Sequence, residues 1–106
     1  MKKDFIWGVS SSAFQTEGAC REGGKGLSVW DEAIHTKGRI FAGHTADVAC
    51  DGYHRYKEDV KIMKEMGIKA YRFSVSWTRI LPDGTGKINK EGVKYYRDLL
   101  TELKKA

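Results

Sequence analysis

Proline occurs once in this 106-residue chain, at Pro82, and cysteine only twice, at Cys20 and Cys50. The cysteines are thirty residues apart, with no Cys-x-x-Cys pair and no histidine at ligand spacing. That pattern provides neither a disulfide framework nor a zinc site, so both are expected to be free thiols. No apolar run approaches the roughly 18 residues of a membrane span. Met1-Lys2-Lys3-Asp4 leads into a strand-like segment without a signal-peptide core, so no membrane partner and a cytoplasmic location are the expectations. No segment is of low complexity, and 41% hydrophobic with 31% charged residues is the balance of a folded chain, not a disordered one.

Charge of one sign is not concentrated either. The net charge is +5, yet basic and acidic residues alternate, as in Lys57-Glu58-Asp59 and Lys64-Glu65. Such interleaving makes a solvated surface and gives no clustered motif for nucleic acid. A chain of this size buries only about 60–70% of the surface that its unfolded form exposes, so marginal stability is expected.

What is present is a pattern of short β-favouring runs and helical periods. Phe5-Ile6-Trp7-Gly8-Val9-Ser10 reads as a buried strand that ends in the small, polar stretch Ser11-Ser12-Ala13-Phe14-Gln15. Glu17 to Ala46 holds six of the twelve glycines and shows no sustained period, so a long loop is expected there. From Asp51 to Met66, Tyr53, Tyr56, Val60 and Met63 fall on one face of a helix that Gly67 terminates. Ala70 to Trp77 alternates as a second strand. Pro82-Asp83-Gly84 turns the chain, Asn89 is a candidate N-cap, and Val93, Tyr96, Leu100 and Leu103 mark the inner face of a second helix.

Strand, loop, helix, strand, loop, helix is the order of two consecutive βα units with parallel strands. Two parallel strands do not close a sheet, and a (β/α)8 barrel takes roughly 250 residues. The expectation is an α/β chain forming about a quarter of a TIM barrel, truncated from something longer or associating with other copies through an unpaired strand edge.

Four blocks narrow this further: Phe5 to Ala19, Ser28-Val29-Trp30-Asp31, Asp47 to Asp59, and Tyr71-Arg72-Phe73-Ser74-Val75-Ser76-Trp77. Together and in this order they resemble glycoside hydrolase family 1, the β-glucosidase family. The likeness covers nearly the whole chain. It implies that residues 1–106 are the N-terminal part of a single barrel domain, with no cofactor and no metal. The implied reaction is retaining hydrolysis of terminal β-D-glucosyl residues, on β-glucosides or cello-oligosaccharides. The block Thr78 to Asn89 is closer to the plain glucosidases than to the 6-phospho-β-glucosidases, which stay as an alternative beside a non-catalytic, self-associating βα scaffold.

The resemblance also assigns roles. Gln15 matches a glutamine that hydrogen-bonds sugar hydroxyls, for which a side-chain amide offers both donor and acceptor. Arg72 matches an arginine that holds the nucleophilic glutamate ionised. That partner is not in the chain, which leaves Asp59 or Glu65 as local alternatives. Glu17 belongs to the signature but is neither catalytic carboxylate. His54 reads as structural; His35 and His44 have no partner in the sequence. Trp7, Trp30 and Trp77 could stack on sugars, but core packing is the expectation. Gly52 stands where many relatives carry histidine, at a cost of up to ~1 kcal/mol relative to alanine inside a helix.

Retaining glycosidases need two carboxylates about 5–5.5 Å apart. In the family these lie on later strands, within Asn-Glu-Pro and Glu-Asn-Gly type motifs, and neither tripeptide occurs here. The isolated chain is therefore expected to be inactive, with no catalytic residue of its own.

Overall fold

The two β-favouring runs come together as β1 (Gly8–Ser10) and β2 (Ala70–Arg72) in a computed structural model that describes residues 4–106. The strands are parallel, with Gly8 opposite Ala70, Val9 opposite Tyr71 and Ser10 opposite Arg72. Both are shorter than the sequence suggests. Beyond Ser10 the backbone makes one more link, from the Ser11 N–H to the Arg72 carbonyl at 3.0 Å. Ser12 then turns the chain into the one-turn helix α1 (Ala13–Thr16), which ends the ladder.

The second correction lies between Glu17 and Ala46. This stretch is not a continuous loop, because α2 (Val29–His35) is built inside it, and Phe41–Gly43 forms a 3₁₀ turn. The start of α2 is a capping box. The Ser28 hydroxyl accepts from the Asp31 N–H at 3.2 Å, and an Asp31 carboxylate oxygen accepts from the Ser28 N–H at 2.8 Å. Ser-x-x-Asp is a local start signal that needs no long hydrophobic period.

The outer layer is helical. Helix α3 (Gly52–Glu65) turns Tyr53, Tyr56, Val60 and Met63 inward, as their spacing predicts, and Gly67 follows it with φ +75°. After β2 the chain forms α4 (Trp77–Ile80) rather than continuing as strand, and α5 (Lys90–Lys105) packs on α3 and α4. The core is Val60 with Tyr95, Tyr96 and Leu99 of α5, flanked by Phe73, Ile80 and Leu103. Here the inner face differs from the expected one, since Tyr95 and Leu99 are buried while Leu100 is exposed. The cause is the tyrosine cluster. Tyr95 lies 4.7 Å from the Tyr53 ring, 5.6 Å from Tyr56 and 4.8 Å from Tyr96, and each such pair adds about 0.5–1.5 kcal/mol to the burial.

The sheet is the less covered layer. All three tryptophans, Trp7, Trp30 and Trp77, are more than half exposed, contrary to the reading that they pack in a core, and of the strand residues only Tyr71 is partly buried. Among the described residues, no residue of either strand belongs to the buried core.

Gly92, in the first turn of α5, lets α5 sit against α4. A Cβ there would stand 2.0 Å from the Arg79 carbonyl oxygen and 2.8 Å from its carbon. Alanine improves helix propensity by up to ~1 kcal/mol, whereas forcing apart a packed backbone contact costs about 1–3 kcal/mol. Gly92→Ala is expected to lower the urea midpoint, with a net loss of about 1–2 kcal/mol; a raised midpoint would show that α4 yields freely.

Candidate functional site

Beyond the C-terminal ends of β1 and β2 the chain forms a cleft of about 290 Å³, walled by Phe14, Trp30 and Trp77 and lined also by Glu17, Lys25, Asp31 and Arg79. Two connections hold its rim. The Ala13 N–H donates to the Ser74 hydroxyl at 2.8 Å, and the Ser11 hydroxyl meets the Tyr71 hydroxyl at 2.5 Å. The first ties the turn after β1 to the turn after β2, and the second ties it to β2 itself.

Beside the cleft lies a buried ion pair. Arg79, with no solvent exposure, donates from Nε to Glu17 Oε1 at 2.8 Å. Its Nη2 reaches the Gly18 carbonyl at 3.2 Å and its Nη1 the Glu22 carbonyl at 3.3 Å. The guanidinium carbon sits 4.5 Å from the Tyr53 ring centroid. The other Glu17 oxygen accepts from the Tyr96 hydroxyl. Burial, the Glu17 charge and this hydrogen bond push the Tyr96 phenol far above its ordinary range. Both charges are thus paired and hydrogen-bonded, the condition under which a buried ion pair is tolerated.

The other carboxylate of the cleft is likewise engaged. Asp31 accepts from Lys25 Nζ at 2.7 Å as well as from Ser28. Burial works against its charged form, but the Lys25 and Ser28 hydrogen bonds outweigh it, and the Asp31 carboxyl titrates below its usual range. A general acid must hold a proton near neutral pH and reach the atom that takes it. Asp31 is held ionised, and both oxygens of Glu17 face other residues of the chain.

Gln15 is exposed on α1, and Arg72 is exposed as the last residue of β2, so both stand at the C-terminal ends of the paired strands. Among the described residues Arg72 forms no ion pair with Asp59 or Glu65. His35 does have a partner, Asp47 Oδ1 at 2.8 Å, and His44 stacks on Phe41. Cys20 is buried and Cys50 exposed, both as free thiols. Among the described residues no three His, Cys, Asp or Glu side chains are arranged to hold a metal ion, and no helix is long and apolar enough to cross a membrane.

Sequence reasoning missed Arg79, Lys25 and the second task of Asn89. Asn89 stands at the N-cap of α5, but its side chain makes no cap bond. Instead Nδ2 donates to the Gly23 carbonyl at 2.6 Å and the Arg79 carbonyl at 2.9 Å. A usable signal existed for Arg79: a lone arginine inside Trp77-Thr78-Arg79-Ile80-Leu81 requires a buried acceptor.

Parallel strands with an open, polar and aromatic cleft beyond their C-terminal ends are the layout of an α/β enzyme segment. The chain belongs to glycosyl hydrolase family 1, whose sequence model matches residues 1–106. It is 63% identical, over 101 residues, to beta-glucosidase A of Acetivibrio thermocellus, a match that covers 95% of this chain and 22% of that protein. Thermostable beta-glucosidase B of Thermobispora bispora is 52% identical over 99 residues, covering 93% of this chain and 20% of the relative. The fold overlays on a beta-glucosidase from Thermotoga maritima, in complex with cyclophellitol, with a TM-score of 0.95 and 45% identity, covering 99% of this chain and 24% of that one. The chain thus spans about a fifth to a quarter of the relatives it matches.

One contact near the site titrates. His54 Nδ1 is 2.7 Å from Asp51 Oδ1 and Nε2 is 3.3 Å from Glu22 Oε2, which joins the start of α3 to the loop that carries Arg79's carbonyl acceptors. The Asp51 hydrogen bond raises the His54 pKa above 6.5, and the same bond holds Asp51 below 3.8. The histidine contribution is complete below pH 6.5 and is lost as pH rises through its raised value. The aspartate contribution is complete above pH 3.8 and is lost as pH falls through its lowered value. Maximum support lies between the two, and His54→Gln is expected to abolish the alkaline-side fall of thermal stability; an unchanged slope would assign that fall to another group.

Proposed function

We propose that residues 1–106 form the N-terminal part of a single (β/α)8-barrel domain and supply its first two βα units. The complete protein is then a retaining β-glucosidase of carbohydrate metabolism, cytoplasmic, removing terminal β-D-glucosyl residues from β-glucosides or cello-oligosaccharides. The observation that carries this reading is the 63% identity to beta-glucosidase A over 95% of the chain.

Within it, Gln15 binds hydroxyls of the terminal sugar. Its exposed amide at the strand ends agrees with that role, because a bound sugar must replace water at both donor and acceptor. Arg72 holds the nucleophile, supplied by a later strand, in its charged form. The chain alone has no turnover, since Glu17 and Asp31, the carboxylates lining the cleft, are both held in ion pairs. A self-associating scaffold is the second reading. It draws on the unpaired edges of β1 and β2 and on the exposed Trp7, Trp30 and Trp77.

Both are tested with 4-nitrophenyl β-D-glucoside. The purified 12.0 kDa chain is expected to give no hydrolysis. A chimera in which it replaces the matching segment of beta-glucosidase A is expected to hydrolyse with retention. In that chimera Gln15→Ala should raise KM about 10–100-fold, the loss of one or two sugar hydrogen bonds. Hydrolysis by the isolated chain would overturn the assignment of roles. Sedimentation of the isolated chain as a monomer would remove the scaffold reading.

A further inference from the structure

Glu17 is a buried carboxylate to which the proposed chemistry gives no part. Its backbone closes α1, its N–H donating to the Ala13 carbonyl at 2.9 Å, and its carbonyl accepts from the Tyr53 N–H of α3 at 3.0 Å. Its side chain takes Arg79 of α4 on one oxygen and Tyr96 of α5 on the other. One residue therefore closes α1 and binds α3, α4 and α5, and it lies two positions from Gln15. Four residues make one helical turn, which has no stability of its own in water. The orientation of Gln15 must come from what holds the ends of α1. At the front these are the Ala13 bond to Ser74 and the Ser11 bond to the Arg72 carbonyl. At the back the hold is Glu17, with Gly52 lying so close that a Cβ there would come within 3.0 Å of Thr16.

We infer that Glu17 is a positioning residue for sugar binding, acting through Gln15: the Arg79–Glu17–Tyr96 linkage fixes the rotation of α1 and so aims the Gln15 amide. The inference rests on the sugar-binding reading of Gln15. A displacement of about 1 Å in a group that orients substrate can cost on the order of a hundredfold in rate. Neutral glutamine at position 17 keeps the size of the side chain but weakens its hold on the guanidinium and the phenol.

The test is a double-mutant cycle in the full-length chimera, with Glu17→Gln, Gln15→Ala and the pair. Tyr96→Phe, which removes only one hydrogen bond from Glu17, serves as the milder variant where Glu17→Gln fails to fold. Each is assayed for kcat and KM on 4-nitrophenyl β-D-glucoside, with thermal unfolding alongside. Glu17→Gln, or Tyr96→Phe in its place, is expected to raise KM at least tenfold. In the Gln15→Ala background the same change should have little further effect. Equal losses with and without Gln15 would show that Glu17 serves stability alone and would overturn the inference. A silent Gln15→Ala would instead show that the reading of Gln15 itself is wrong, and the inference would fall with it.

Discussion

A guanidinium keeps its charge when shut off from water, so it can be buried at tolerable cost only where carboxylate and carbonyl oxygens surround it, and the fold of this chain is arranged around that requirement. Arg79 draws Glu17, Gly18 and Glu22 to itself from a segment some sixty residues earlier. Asn89 and Gly92 then close on its own carbonyl from the other side, Asn89 by a hydrogen bond and Gly92 by allowing the approach. Removing either charge of such a pair leaves the other stranded, at a cost of about 3–5 kcal/mol. That is a large fraction of the 5–15 kcal/mol that usually holds a domain together. The glycine-rich stretch after Glu17 is therefore ordered by electrostatics and backbone acceptors, since it has little apolar surface to bury.

The two sides of the molecule follow different rules. On the helical side Val60, Tyr95, Tyr96 and Leu99 interlock, and burial of each apolar side chain contributes about 1.5–3 kcal/mol. On the sheet side Val9, Trp7 and Trp77 face solvent, and each strand keeps one unpaired edge. On the proposed barrel reading this is the surface on which later strands pack; the chain spans 22–24% of the length of these relatives.

How much of this could be read in advance depended on the range of the interaction. The face of α3 was legible because Tyr53, Tyr56, Val60 and Met63 declare a helical period by themselves, and Gly67 marks its end locally. The face of α5 was only half legible, because Tyr96 fits the expected stripe but the rings of Tyr53 and Tyr56 draw Tyr95 inward as well, which buries Leu99 and leaves Leu100 exposed. Helix α2 was overlooked because its signal is the Ser28–Asp31 box and not periodicity. A core position is expected of aromatic residues in or beside strands, and here all three tryptophans stand more than half exposed. Gln15 and Arg72 came from family resemblance. Residue chemistry alone left Gln15 open as a strand cap and gave Arg72 local partners that the structure does not form.

Polar chemistry and catalytic chemistry make opposite demands on a carboxylate. A structural one is held at both oxygens, as Glu17 is by Arg79 and Tyr96, or is kept ionised by a lysine and a capping box, as Asp31 is. A catalytic acid needs a free face toward substrate and a pKa near the working pH. Both acids lining this cleft are of the first kind, while the exposed groups at the strand ends, Gln15 and Arg72, cannot serve as acids at all. On the function proposed above, the segment provides donors and acceptors for the sugar and leaves bond cleavage to later strands, a division in which Glu17 acts by keeping the exposed Gln15 amide still.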